Sequence, residues 1–327
     1  MSYQAILCEL LDGPGALALR RTESRALADG EVRVAVKAAG VNFPDLLMTR
    51  GGYQLRLEPP FTPGMEVSGT VTEVHSRAGG WQPGDAVIAT MRSGGYAEEV
   101  VVPAESLLAL PPGFSFEEGA AFPVAARTAY HSLVDRAGLR SGETLLVLGA
   151  SGGVGLAAVE LGAVLGAHVI AVGSDDEKLA VAAAKGAEAV VNYRTEAFRD
   201  TVKALTDPHG VDVVYDPVGG TLSKESARLL AWEGRLLIIG FASGEIPSFA
   251  ANHALIKGYS IMGVRAGESA RRFPERARAG TQRLLELAAQ GHLRPHISHS
   301  FPLAEAAGAL RTLETRAVVG RCVLTCA

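Results

Sequence analysis

The chain has 327 residues, 48% of them hydrophobic and 20% charged, with a net charge of −4 at neutral pH. That length supports two domains with separate cores, and a weakly acidic balance without long single-sign runs offers nothing to nucleic acid or an anionic membrane. No apolar stretch is long enough to span a bilayer, the start lacks a basic-then-apolar leader, and the three cysteines (Cys8, Cys322, Cys326) show no metal-ligand spacing, so a reducing, cytoplasmic setting is expected.

Short strands come first in chain order: Tyr3–Leu10, Ala16–Arg21, Glu31–Ala39, Val67–His75, Asp85–Thr90 and Ala97–Pro103. Gly, Pro and Asp turns separate them and polar residues alternate along them, which predicts a mostly antiparallel, partly barrel-like lobe. From Thr144 the pattern changes. The run Thr144-Leu-Leu-Val-Leu-Gly-Ala-Ser-Gly-Gly-Val-Gly155 drives an apolar strand into a glycine cluster and then into a helix of small residues. Glycines let backbone approach a pyrophosphate, and the free N–H groups of the new helix face its charge. Gly149, Ala150, Gly152, Gly153, Val154 and Gly155 are therefore the predicted nucleotide cradle. A strand before and a helix after separate this pattern from an ordinary glycine-rich connector.

Further strands are predicted at Val169–Gly173, Ala189–Asn192, Val211–Tyr215, Arg235–Gly240 and Ser260–Val264. Helices are predicted between them at Asp175–Gly186, Thr195–Thr206, Leu222–Trp232 and Asn252–Lys257. Continuous apolar strands spaced by helices mean a parallel sheet covered on both faces, here a doubly wound α/β domain of six strands. Gly240-Phe241 and Val264-Arg265 then end consecutive strands at the carboxyl edge, where ligands bind. Arg265 either meets an anionic substrate or rims the site. The strands at Arg235–Gly240 and Ser260–Val264 form the far edge, which invites a two-fold homodimer. Helices follow at Arg271–Gln290 and Leu303–Leu313. The closing strand, Val318–Thr325, has no partner nearby in sequence and is expected to return to the first lobe.

Several motifs in the same order resemble the zinc-independent quinone oxidoreductases, the zeta-crystallin-like family of the medium-chain dehydrogenase/reductase superfamily. They are Ala39-Gly-Val-Asn-Phe-Pro-Asp45, Gly51-Gly-Tyr53, Pro63-Gly-Met-Glu-Val-Ser-Gly69, Pro83-Gly-Asp85, Thr128-Ala-Tyr-His131, the glycine cluster and Asn192-Tyr193. The resemblance implies a GroES-like catalytic lobe in two parts, 1–124 and 265–327, around a Rossmann domain at 125–264. It also implies an interdomain cleft and a dimer. Thr128 would touch the nicotinamide side of the cofactor.

NAD-binding chains carry an acid about 20 residues past the cluster to hold the ribose hydroxyls. Here 173 − 152 = 21 positions lead to Gly173, which has no carboxylate, and Asp175 and Asp176 read as the start of the next helix. Lys178 and Tyr193 are either a solvated lysine and a strand-end filler or partners of a 2′-phosphate. The resemblance selects the second reading, with Ser174 beside them, and hence NADPH. Zinc-dependent relatives place cysteine at the position of Asn42, histidine at Met65 and cysteine near Val124, so no metal is expected. His131 reads as a packed histidine.

Without a metal, charge developing on an acceptor oxygen needs hydrogen-bond donors. Asn42 and Tyr53 are the candidate catalytic residues, the first through its amide and the second through its phenol. Tyr53 also reads as a loop aromatic, and Asp45 as a helix cap. The expected activity is reduction of a quinone by NADPH. The alternatives are reduction of an enone, enal or enoyl thioester, or a non-catalytic NADPH-binding structural or RNA-binding role.

Overall fold

The computed structural model describes residues 2–326. In chain order it runs β1 (Ser2–Cys8), β2 (Leu17–Glu23), β3 (Glu31–Val41), α1 (Phe43–Thr49), β4 (Glu66–Val74), β5 (Ala86–Thr90), β6 (Glu99–Pro103), β7 (Leu107–Ala109), α2 (Phe116–Ala121) and α3 (Pro123–Tyr130). A π-helical turn, His131–Arg136, extends α3. Then come β8 (Thr144–Leu148), α4 (Gly153–Val164), β9 (His168–Gly173), α5 (Asp176–Ala184), β10 (Ala189–Asn192), α6 (Phe198–Thr206), β11 (Val211–Asp216), α7 (Gly220–Ala227), β12 (Leu230–Ile238), α8 (Ala251–Lys257) and β13 (Ser260–Gly263). Helices α9 (Ala266–Arg272) and α10 (Pro274–Ala289), strand β14 (Ile297–Pro302), α11 (Ala306–Glu314) and β15 (Arg321–Thr325) complete the chain.

The chain divides into two compact units, one reaching Val124 and resuming at Arg294, the other Ala125–Leu293. In the first, the sheet order is β14-β15-β3-β4-β5-β7, with β6 also paired to β3. The GroES-like lobe is antiparallel apart from the parallel β14–β15 pair. Val32, Val34 and Val36 alternate inward along β3 and pack with Val67, Val87 and Leu324, the period-2 pattern of a sheet with one buried face. The closing strand does return to this lobe: Cys322 pairs with Val41 and Leu324 with Ala39.

The second unit holds the parallel six-stranded sheet, ordered β10-β9-β8-β11-β12-β13. Leu145, Leu146, Val147 and Leu148 of β8 are all fully buried, as a strand covered on both faces requires. This is the expected Rossmann architecture, with β13 at its far edge.

Three sequence expectations shift. The helix expected at Leu222–Trp232 ends at Ala227, because Leu229 and Leu230 turn in beneath Val211, whose N–H donates to the Leu229 carbonyl at 2.9 Å. The helix expected at Arg271–Gln290 is split, since Pro274 opens a new helix and cannot continue the old one. The return to the first lobe comes at Arg294 rather than 265. Helix α10 stays with the second unit because Gly280 lies against the Tyr130 ring and Arg127 Nε donates to Thr281 Oγ1 at 3.0 Å.

Candidate functional site

In the second unit the glycine cluster closes a tight strand-to-helix turn. Gly152 N–H donates to the Gly149 carbonyl at 3.0 Å, and Ala150 N–H to the Val172 carbonyl at 3.0 Å. A Cβ on Gly155 would stand 2.2 Å from the Gly149 oxygen, so only glycine lets α4 start this close to β8. No side chain caps α4, whose first N–H groups therefore remain available to a phosphate.

The carboxyl ends of neighbouring strands gather beside this turn. Buried Asp216 accepts from the N–H groups of Val218 and Gly219, both at 2.8 Å, and Val218 lies against Gly149. Ala242 and Ser243 donate backward to Pro217 and Val218, which holds the Gly240–Phe241 loop to the end of β11. Val264 N–H donates to the Ile238 carbonyl at 3.0 Å, so Val264 and Arg265 follow in the same row. Thr128 is half-buried on α3, and its carbonyl accepts from Ser132 Oγ at 2.6 Å.

The predicted phosphate residues also come together. Asn192 is in register with Gly173, and Tyr193 N–H donates to the Gly173 carbonyl at 3.0 Å. That places Tyr193 beside Ser174 and the first turn of α5, which carries Lys178. Asp175 and Asp176 are engaged by protein donors: Asp175 caps the Lys178 N–H at 3.0 Å, and Asp176 accepts from Asn192 Nδ2 at 2.7 Å. Arg194, exposed next to Tyr193, adds a cation that reading for carboxylates passed over.

In the first unit, Asn42 precedes α1 as its cap residue, its N–H donating to Asp45 Oδ2 at 2.8 Å while Asp45 N–H donates to the Asn42 carbonyl at 3.0 Å. Asp45 is fully buried and also accepts from Gly64 N–H at 3.1 Å and Tyr96 Oη at 3.0 Å. Burial pushes its carboxyl up to about 7 despite those donors. Helix α1 ends in a Schellman turn, Gly51 N–H to the Met48 carbonyl and Gly52 N–H to the Leu47 carbonyl. Tyr53 follows directly, half-buried in a loop.

The Asn42 side chain is buried in a polar cluster. Nδ2 donates to Glu66 Oε1 at 2.9 Å and makes a longer 3.4 Å contact with the Gly40 carbonyl. Oδ1 accepts from Arg321 Nη1 at 2.9 Å. Arg321 Nη2 also donates to Glu66 Oε1, while Glu66 Oε2 accepts the Val124 N–H at 2.7 Å. Glu66 and Arg321 were invisible as site residues in sequence: one follows a Pro-Gly-Met turn and the other opens the last strand, 255 positions later.

None of the three positions that zinc-dependent relatives use carries a thiolate, imidazole or carboxylate. Asn42 Oδ1 is occupied by a guanidinium, Met65 brings a thioether, and Val124 brings a backbone N–H donor. Among the described residues no three His, Cys, Asp or Glu side chains gather as a metal site. Buried His131 pairs through Nδ1 with Asp135 Oδ2 at 2.9 Å. No helix among the described residues is long and apolar enough to cross a membrane.

Comparison with known proteins agrees with this architecture. Residues 28–112 match the alcohol dehydrogenase GroES-like domain, and residues 153–282 match the zinc-binding dehydrogenase family. The quinone oxidoreductase-like protein 2 homolog of Nematostella vectensis is 39% identical, over 99% of this chain and 89% of that protein. The Escherichia coli quinone oxidoreductase structure complexed with NADPH superposes with a TM-score of 0.90 at 28% identity, covering 99% of this chain and all of that one. A mycobacterial structure complexed with NADPH gives the same TM-score at 30% identity, with the same coverage. The chain thus belongs to the zeta-crystallin-like quinone oxidoreductase family of the medium-chain dehydrogenase/reductase superfamily.

Proposed function

We propose that this oxidoreductase uses NADPH and passes hydride to a quinone without a metal. The observation that carries the cofactor choice is the meeting of Gly173, Ser174, Lys178 and Tyr193 where Asp175 and Asp176 are already hydrogen-bonded. A cation and a phenol suit a 2′-phosphate, whereas the carboxylate that would grip a free ribose diol is missing. NADPH complexes of the E. coli and mycobacterial relatives support the same choice.

When bound, NADPH supplies the hydride. The N–H groups at the start of α4 hold its pyrophosphate, and Thr128, Gly240, Phe241, Val264 and Arg265 bound the nicotinamide side. Asn42 and Tyr53 serve the acceptor. The Asn42 amide stabilises the oxyanion with the hydrogen now held by only the long Gly40 contact, and the Tyr53 hydroxyl delivers a proton. Strand β13 forms the homodimer contact, with Ile261 exposed along that edge. Light scattering that reads a monomer at micromolar concentration counts against the dimer.

The test of function is NADPH oxidation by purified protein with para- and ortho-quinones, enals and enoyl thioesters in parallel. Turnover is expected with quinones above the other acceptors. Faster reduction of an enal or enoyl thioester reassigns the substrate, and no turnover with any acceptor removes the catalytic reading.

A further inference from the structure

The hydrogen bonds around Asn42 have a direction. An amide can be turned end for end with little change of shape, exchanging its acceptor for its donor. Here a guanidinium faces one end and a carboxylate the other, 2.9 Å from Oδ1 and 2.9 Å from Nδ2. The reversed amide would set its oxygen against Glu66 and its NH2 against Arg321, so a single orientation survives. We propose that Arg321 is the positioning residue that orients and polarises the Asn42 amide for reduction, an inference that rests on the acceptor-side role assigned to Asn42.

Three observations support it. Arg321 and Glu66 are both buried, so their interactions act in a low-dielectric interior where a cation on Oδ1 makes the amide hydrogens better donors. The guanidinium is not arranged for the strongest ion pair. A side-on fork would present Nε and Nη2 together to the carboxylate, yet Nε is buried without a hydrogen-bond partner while Nη1 is turned to Asn42. The local backbone also makes room for the cluster. A Cβ on Gly40 would fall 2.6 Å from Glu66 Oε1 and 2.3 Å from the Ala120 carbonyl, so glycine lets the carboxylate reach Asn42.

The geometry divides the labour within the cluster. Glu66 takes one Nδ2 hydrogen and balances the buried cation. Arg321 holds and polarises the Oδ1 end, and with Glu66 it fixes which end of the amide is the donor. The second Nδ2 hydrogen keeps only the 3.4 Å contact with the Gly40 carbonyl, which an acceptor oxygen can displace. Loss of Arg321 therefore leaves Oδ1 without its cation and weakens the amide as a donor, while Glu66 still holds Nδ2 and the nucleotide-binding residues are unchanged.

The experiment uses the full chain and compares Arg321→Met, Arg321→Lys and the double variant Glu66→Gln/Arg321→Met, measuring melting temperature, NADPH affinity by fluorescence, and kcat and KM with a quinone. Arg321→Met strands the Glu66 charge and is expected to melt earlier; the double variant removes that charge and recovers much of the melting temperature. In both, kcat is expected to fall about tenfold or more, the loss of one charge-assisted hydrogen bond, with NADPH affinity retained. Arg321→Lys, a cation without the planar fork, should fold and give an intermediate kcat. Recovery of kcat together with melting temperature in the double variant would mean that Arg321 only neutralises Glu66, and overturns the proposal. Wild-type protein that binds NADPH but reduces no acceptor defeats the functional reading itself, and this inference with it.

Discussion

The glycine turn of the second unit and the polar cluster of the first are built by opposite means. The turn occupies Gly149–Gly155, a contiguous stretch in which backbone does the recognition and side chains mainly have to be absent. The cluster draws Asn42, Glu66, Val124 and Arg321 from four distant places, and nearly all of its meaning lies in side-chain direction. The turn therefore breaks when atoms are added, and the cluster when they are removed or exchanged.

The largest effect tests the turn. Gly155→Val puts a branched side chain where a Cβ alone would stand 2.2 Å from the Gly149 carbonyl. Forcing α4 away from β8 should cost about 3 kcal/mol or more of stability and abolish NADPH binding. Calorimetry and a fluorescence titration check this; a variant that binds NADPH normally shows that the turn is not the cradle.

A smaller effect separates cofactor choice from cofactor binding. Lys178→Ala should weaken NADPH by about 1.5–3 kcal/mol, roughly 10- to 150-fold, while leaving NADH use nearly unchanged. Equal losses for the two cofactors in a paired titration would assign Lys178 to the fold.

The mildest test returns to the first unit. Burial raises the folded-state pKa of Asp45 from the ordinary 3.8 to about 7. Between those values the unfolded chain has released a proton that the folded chain keeps, so stability falls as pH rises through that window and levels off above it. Asp45→Asn should flatten this slope in melting curves taken across the same pH range. An unchanged slope would place the responsible group elsewhere.

The comparison also explains what could be read in advance. The six parallel strands were legible because each is a contiguous apolar run between helices, and Ala189–Asn192 appears with the expected limits. Strand β14 was missed because Ser298 and Ser300 point outward between half-buried neighbours, leaving too few apolar residues to mark it. The helices at 266–289 resemble a return to the catalytic lobe until Gly280 is seen against Tyr130, a contact between residues 150 positions apart in a chain that gives no local sign of it. The candidate site divides in the same way. Asn42 was found through a short motif shared with relatives, whereas Glu66 and Arg321 gain their roles only from pairing across the lobe. Local periodicity announces elements, and long-range polar pairing does not.

Hydride transfer by a nucleotide turn and a cluster of protein donors alone is the proposed step most open to direct measurement. Its most direct test is the steady-state rate of quinone reduction by NADPH after exhaustive treatment with a strong chelator, with metal content measured on the same sample. An unchanged rate is expected in protein carrying no stoichiometric zinc. A rate that collapses on chelation and returns when zinc is added would contradict it.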